Sequence, residues 1–225
     1  MQIDQLVAAY PRLYHVAEAG SWPAIRELGL LTTAQLVAAS DPAPEIRAAI
    51  LDRPRTRSFT LTHPQLGPVV IRDQRPLRPD ILARKLTGLT VAQWLALLND
   101  RVFFWLDQRR LDTLLNARVN RGRPHDVLTV DTASLVATWA GKIALSPLNS
   151  GATLFPNAAP RGPDTFRTIA DYPYDTLRRQ RGPANAIAEL AVIGGVPDLA
   201  QHVLKVERRH GTAPNRERLI VGGAG

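Results

Sequence analysis

The sequence predicts an α+β domain, and three observations support that fold class. Runs with helical periodicity concentrate in the first half of the chain, and short extended runs concentrate in the second half. The regular strand–helix alternation of a doubly wound sheet is missing. The glycine-rich phosphate loops of the common nucleotide-binding folds are also missing. The expected sheet is therefore mixed or antiparallel, with short helices packed around it.

Most predicted helices begin at a capping residue or end at a helix breaker. Ser21 followed by Pro23 is typical of a helix start, and Gly29 is typical of a helix end. Thr90 precedes an apolar run and predicts a second capped helix. The predicted helices cover residues 1–10, 24–28, 33–39, 45–51, 79–85, 90–98, 108–117 and 131–139, with one short helix within 165–179.

Short apolar runs bounded by glycine, proline or polar residues predict the strands. These strands cover residues 13–17, 58–62, 69–72, 101–106, 126–130, 142–145, 187–193 and 202–207. Residues 149–163 are rich in glycine, proline and alanine, which predicts an exposed loop. We expect residues 1–225 to form a single domain with a mobile basic tail from about residue 208.

The composition is ordinary for a soluble globular protein, with 45% hydrophobic and 21% charged residues. No run approaches the ~20 apolar residues of a membrane helix. The first residues carry Asp4 and no cationic leader, so no secretory signal is expected. The lack of cysteine excludes disulfides, thiolate metal sites and a cysteine nucleophile. We therefore expect a cytoplasmic protein without membrane association.

A net charge of +8 is the strongest compositional feature. Only Lys85, Lys142 and Lys205 are lysines, so most of the basic residues are arginines. Because the planar guanidinium suits phosphate, this excess favours a nucleic acid or a phosphate-rich cofactor as partner. GC-rich coding would explain the same composition equally well.

Neither a metal site nor a hydrolase with a serine nucleophile is expected. The five histidines are scattered and form no His-x-x-x-His pair. Ser150 precedes a glycine but lacks the Gly-x-Ser-x-Gly pattern of a nucleophile elbow.

Two predicted strands each carry a polar residue that burial disfavours unless it is partnered. His15 is either a core histidine bonded to a backbone carbonyl or a ligand for a ribose hydroxyl or carboxamide. Glu189 lies in the apolar run 187–193. It is either an edge residue facing water or a functional carboxylate.

The run Phe103, Phe104 and Trp105 precedes Arg109 and Arg110. The aromatic residues are either core residues, or one of them stacks on a flat heterocycle. The arginines open a predicted helix, where they either form a solvated face or bind a pyrophosphate near the positive end of the helix dipole.

These segments together resemble the DarT-like ADP-ribosyltransferases of the diphtheria-toxin-like superfamily. Three segments carry the resemblance, and they span most of the chain: Tyr14-His15 followed by residues 22–30, residues 102–105 with the arginines after them, and residues 189–192 followed by Gly195-Val-Pro197. Two departures exist. Ser21-Trp22 stands where that family often carries asparagine, and the loop 149–163 has no clear counterpart.

The resemblance implies a curved, split, mixed β-sheet and a mono-ADP-ribosyltransferase that uses NAD as substrate without a metal. The acceptor would be a macromolecule, with DNA or RNA favoured, in a toxin or defence enzyme for which an antitoxin is a further candidate partner. Two alternatives stay open. One is an NAD glycohydrolase on the same fold, and the other is a non-catalytic basic module that binds nucleic acid.

The resemblance also implies roles for the candidate residues. His15 would orient the nicotinamide-side ribose or amide. The aromatic residues Tyr14, Phe103, Phe104 and Trp105 would line the nicotinamide pocket. Arg109 or Arg110 would hold the pyrophosphate or help to deprotonate the acceptor. Glu189 would bond the ribose 2′-hydroxyl and stabilise the oxocarbenium-like charge as nicotinamide leaves.

Overall fold

The structure of the protein is a computed structural model that describes residues 1–211 and 216–219. Its helices are α1 (Ile3–Ala9), α2 (Trp22–Leu28), α3 (Thr33–Ser40), α4 (Pro44–Leu51), α5 (Pro79–Lys85), α6 (Val91–Asn99), α7 (Gln108–Asn116), α8 (Thr132–Trp139) and α9 (Tyr174–Arg181). Its strands are β1 (Arg12–Glu18), β2 (Phe59–His63), β3 (Gly67–Ile71), β4 (Arg101–Phe104), β5 (Pro124–Asp131), β6 (Ile143–Ser146), β7 (Arg167–Thr168), β8 (Glu189–Ile193), β9 (Val203–His210) and β10 (Arg216–Leu219).

Local sequence explains where several helices begin and end. Thr32 and Thr90 each accept a hydrogen bond from the backbone N–H three residues later, and the glutamine there bonds back to the threonine N–H. Gly29 ends α2 with a φ of 79°, a conformation that costs glycine little. The predicted caps Thr90 and Gly29 are therefore confirmed.

The strands form two four-stranded sheets and one hairpin. One sheet has the order β1-β5-β9-β10, the other has the order β4-β8-β6-β7, and β2 pairs with β3. Tyr14 and Trp105 join the two sheets by exchanging backbone hydrogen bonds of 2.9 and 2.8 Å. Beyond this bridge β1 and β4 are not paired, so a gap opens between the sheets.

The α+β class is confirmed, but the sheets are not mixed. Every pairing between strands in the described part of the chain is antiparallel. Parallel neighbours need a helical crossover within one sheet. Here the connection through α8 instead carries the chain from β5 in one sheet to β6 in the other.

Both sheets contribute to one hydrophobic core. Alternate residues of β4, β5 and β8 share this core with Leu135 of α8: Val102, Phe104, Leu128, Val130, Leu190 and Val192. This shared core fixes β4 and β8 relative to β5, and therefore fixes both sides of the gap.

Two predictions about irregular segments can be compared with the structure. Arg208 to His210 are the last residues of β9, and residues 216–219 form β10, so part of the predicted tail from residue 208 forms strands. Backbone pairing with β5 holds β9 in place. Residues 212–215 and 220–225 lie outside the described residues. The loop 149–163 is exposed in its middle, but Thr153 and Arg161 are buried and anchor it.

Candidate functional site

A pocket of about 500 Å³ lies in the gap where β1 and β4 separate. Its polar part comes from β1, β4 and the segments beside the hairpin: His15, Glu18, Arg55, Arg72, Asp73 and Arg101. Its apolar part comes from the α2–α3 turn, from α3 and from the β2–β3 hairpin: Leu31, Leu36, Leu66, Pro68 and Val70. The pocket therefore offers charged and apolar surfaces to one ligand.

His15 lines the pocket as a neutral imidazole. Its Nδ1 lies 2.9 Å from the carbonyl oxygen of Phe103, and because a carbonyl only accepts, Nδ1 carries the proton. Burial lowers the pKa of His15 to about 4. At neutral pH the other ring nitrogen, Nε2, is therefore an acceptor. The structure shows the backbone-carbonyl bond of the first interpretation, and this bond fixes the tautomer that a ligand would meet.

Three arginines line the pocket that sequence patterns did not single out. Arg55 donates to the carbonyls of Arg72 and Ile50 and to the side-chain oxygen of Asn99, each at 2.9 Å. Arg101 donates to the carbonyl of Leu97 at 2.6 Å. These partners are neutral and fix the guanidinium groups without cancelling their charge. Burial lowers the pKa of Arg55 to about 10, so it stays protonated at neutral pH.

The carboxylates of the pocket already have cationic partners. Glu18 lies 3.4 Å from Arg72 and 3.4 Å from Arg123, and Asp73 pairs with Arg75 at 2.9 Å. Arg55 and Arg101 form no ion pair with any residue that the structure describes. The polar part of the pocket can therefore bind an anion such as a pyrophosphate.

Asp126 holds the loop that forms one wall of the pocket. It is fully buried on β5 and accepts hydrogen bonds from the N–H groups of Gly20 and Trp22 at 2.9 and 3.1 Å. Arg208 balances its charge with two bonds of 3.0 and 2.9 Å. A buried carboxylate is tolerated when it is paired and bonded in this way. The loop after β1 is consequently fixed to β5 and β9.

The segment after β8 supports the part of the pocket wall that Gly29 and Leu30 form. Leu30 and Val196 exchange backbone hydrogen bonds of 2.8 and 2.9 Å. A Cβ on Gly29 would lie 2.3 Å from the Cα of Pro197, and a Cβ on Gly195 would lie 2.7 Å from the carbonyl oxygen of Leu30. Only glycine permits these approaches. This contact ties residues 29–30 of the pocket wall to the segment that follows β8, the strand that carries Glu189.

Glu189 lies at the start of β8, is 5% exposed, and does not face water. The N–H of Ser150 donates to its Oε2 at 3.0 Å. Burial raises the pKa of Glu189 to about 7, while the Ser150 bonds and the charges of Arg110 and Arg161 act to lower it. Arg161 is itself buried, with Nε and Nη1 lacking partners among the described residues.

The structure brings His15 and Glu189 to either side of β4. His15 bonds to Phe103, which pairs with Ala191 on β8, two residues beyond Glu189. Glu189 is not one of the residues that line the pocket. The imidazole and the carboxylate therefore lie on the strands that flank β4, and of the two only His15 lines the pocket.

The two candidate arginines of α7 differ. Arg110 pairs with Asp107 at 3.2 Å, and its charge acts on Glu189. Arg109 is exposed and donates to Asn185 at 3.2 Å. Neither residue lines the pocket, because α7 packs beyond the Tyr14–Trp105 bridge rather than beside the gap.

Of the aromatic candidates, Phe103 lines the pocket. Phe104 faces the core, since successive side chains of a strand alternate between its faces, and its ring lies 5.7 Å from that of His15. Tyr14 packs against the cluster of Leu111, Leu115 and Val127 instead. Trp105 stands where β1 and β4 are bonded together, which leaves no pocket space there.

The described residues hold no group of three or more histidine, cysteine, aspartate or glutamate side chains that could bind a metal ion. None of their helices is both long and apolar enough to cross a membrane.

The fold and the site define an antiparallel α+β domain with an arginine-lined pocket beside a buried carboxylate. The chain belongs to a family of unknown function, DUF7002, which matches residues 11–203. No curated protein matches the chain. The matched region contains both walls of the pocket and Glu189, so the candidate site lies inside the family's domain.

Proposed function

We propose that this protein is a mono-ADP-ribosyltransferase that transfers ADP-ribose from NAD to a macromolecular acceptor. The observation that carries the proposal is the buried carboxylate of Glu189, one strand away from a pocket lined by arginines. NAD presents a pyrophosphate and develops positive charge on a ribose as nicotinamide leaves. Guanidinium groups suit the first feature, and a carboxylate suits the second.

The pocket supplies groups for each part of the dinucleotide. Arg55 and Arg101, which form no ion pair with the described residues, would hold the pyrophosphate with the guanidinium N–H groups that their carbonyl and amide partners leave unused. The unprotonated Nε2 of His15 would accept from a ribose hydroxyl or from the carboxamide of nicotinamide. Phe103 would border the nicotinamide ring, and the apolar part of the pocket would cover the adenine.

In the reaction, the bond between the nicotinamide nitrogen and ribose C1′ breaks, and neutral nicotinamide leaves with the bonding electrons. Ionised Glu189, one strand away from the pocket, would stabilise the cationic ribose through its negative charge. A nucleophile of the acceptor then bonds to C1′ and releases its proton. Because the pKa of Glu189 is raised to about 7, transfer should increase as the pH rises through that value. Arg110 and Arg161 favour the ionised form.

The net charge of +8 favours a nucleic acid as the acceptor. The test is to incubate the protein with labelled NAD and with DNA, RNA or protein, and to compare Glu189→Gln with Glu27→Gln on the exposed side of α2. We expect Glu189→Gln to abolish label transfer and Glu27→Gln to retain it. Transfer that survives in Glu189→Gln would contradict the proposal.

The same experiment separates the two alternatives. Free ADP-ribose formed without any acceptor would identify an NAD glycohydrolase. The lack of NAD binding by calorimetry, together with salt-dependent binding of oligonucleotides, would identify a non-catalytic module.

A further inference from the structure

We propose that an arginine rim beside Glu189 binds the phosphates of a nucleic-acid strand. The rim consists of residues on the first turn of α7 and the last turn of α9: Arg109, Arg110, Arg178, Arg179 and Arg181. Its part in transfer rests on the function proposed above, whereas its binding of a strand needs no NAD.

Hydrogen bonds to neutral groups bring the two helix ends together. Arg110 donates to the carbonyl of Ala184 at 3.1 Å, and both Arg109 and Arg110 donate to the side-chain oxygen of Asn185, at 3.2 and 3.3 Å. Ala184 and Asn185 belong to the short turn that follows α9. Arg181 donates to the carbonyl of Pro147 at 3.0 Å. The guanidinium groups are thus positioned while their charges are retained.

The anchoring segments lead directly to Glu189. Asn185 precedes it by four residues in the sequence. Pro147 follows Ser146, which is the partner of Glu189 in the pairing of β6 and β8. The charge of Arg110 also acts on the Glu189 carboxylate. A strand on the rim would therefore lie close to the segments that flank Glu189.

The rim carries more positive charge than neighbouring carboxylates neutralise. Arg110 pairs with Asp107. Arg109, Arg178, Arg179 and Arg181 form no ion pair with the residues that the structure describes. Asp175, an acid at the other end of α9, accepts a bond from Gln5.

Helix stability explains only part of this arrangement. Cations are favourable at the C-terminus of a helix, which accounts for the three arginines of α9. Arg109 lies on the first turn of α7, where the dipole disfavours a cation, and it has no carboxylate partner in the described chain. An external anion would remove that cost.

Phosphodiesters are the anions that this surface suits. Arginine binds phosphate oxygens with its planar fork, and the rim spreads its charges over two helices instead of converging on one point. A chain of regularly spaced phosphates can contact several of these groups at once. Binding should then weaken steeply with salt, because each contact releases counterions.

The test uses the double variant Arg178→Ala/Arg179→Ala, since both side chains are exposed and have no partner in the described chain. Fluorescence anisotropy would follow binding of a labelled single strand of about 16 nucleotides without NAD. Loss of two phosphate contacts should lower the slope of log affinity against log salt by about 1.4 and weaken binding roughly 10-fold or more near ~0.1 M salt. A circular dichroism spectrum would check that the fold is kept.

The matched control is Arg26→Ala/Arg53→Ala, which removes the same charge from exposed residues on α2 and after α4. It should bind the strand with nearly wild-type affinity, and so should Glu189→Gln. An equal loss of affinity for the strand in the two double variants would contradict the proposed role of the rim. Binding that does not depend on salt would also contradict it. Equal competition by polyglutamate would show a general anion surface and would also overturn it. If Glu189→Gln binds the strand but does not transfer ADP-ribose, the result supports the rim as the binding surface and, independently, Glu189 as the residue needed for transfer.

Discussion

The raised pKa of Glu189 predicts how the free energy of unfolding depends on pH. Glu189→Gln replaces the carboxyl by an uncharged amide of nearly the same shape. Because burial raises the pKa of Glu189 to about 7 from the model-peptide value of 4.5, the folded protein binds this proton more tightly than the unfolded chain does. Stability from this group is therefore greatest when it is protonated, and is lost as the pH rises from 4.5 through 7.

One pKa unit corresponds to about 1.4 kcal/mol, so between about pH 5 and about pH 8 the wild type should lose roughly 2–3 kcal/mol relative to Glu189→Gln. For a chain of this length that difference equals about 5–10 °C in melting temperature. Urea denaturation of both proteins at the two pH values measures it, with Glu27→Gln as the control for the amide substitution. Taking the difference between variant and wild type cancels the contributions of other titrating groups. Parallel pH profiles of stability would refute the reasoning, because they would mean that the carboxyl titrates alike in the folded and unfolded protein.

Three further predictions concern the pocket. Gly29→Ala should lower the free energy of unfolding by about 2–4 kcal/mol in thermal or urea melts, because its Cβ would lie 2.3 Å from Pro197 at a φ of 79°. Gly20→Ala, with a φ of 88° and nothing within 4 Å, should cost only about 1 kcal/mol, and equal losses would contradict the close contact. Burial lowers the pKa of His15 to about 4. The contribution of neutral His15 to the free energy of unfolding is therefore fully present above pH 6.5 and is lost as the pH falls towards 4. His15→Gln should remove this loss of about 3 kcal/mol from the stability profile, and an unchanged profile would count against a buried neutral imidazole. Arg55→Lys keeps the charge but not the planar fork, so calorimetry should show roughly 10-fold weaker NAD binding, and unchanged affinity would exclude Arg55 as the pyrophosphate ligand.

Local sequence predicted the secondary structure better than the sheet arrangement. The caps at Thr90 and Gly29 depend on groups within a few residues, so their residue types are sufficient evidence. The hairpin of β2 and β3 likewise follows from two short apolar runs around a turn. The bridge between Tyr14 and Trp105 joins residues far apart in sequence, and no local pattern marks it.

The candidate site was predicted in part. His15 and Glu189 were selected because a polar residue inside an apolar strand needs a partner, and the structure supplies Phe103 and Ser150 as those partners. No comparable sequence signal marks Arg55, which follows a proline in a polar segment. Its burial depends on carbonyl and amide groups of Arg72 and Asn99, at separations of 17 and 44 residues.

The sequence by itself determined the α+β class, most helix and strand positions, the basic charge, and the absence of cysteine chemistry. These properties depend on composition and on interactions within a few residues. The tertiary structure alone decided that β1 and β4 separate beyond one bridge, that arginines line the resulting pocket, and that Asp126 holds a loop 106 residues away. Such contacts arise because packing brings distant segments together, and a charged residue is buried only where another part of the chain satisfies its hydrogen bonds.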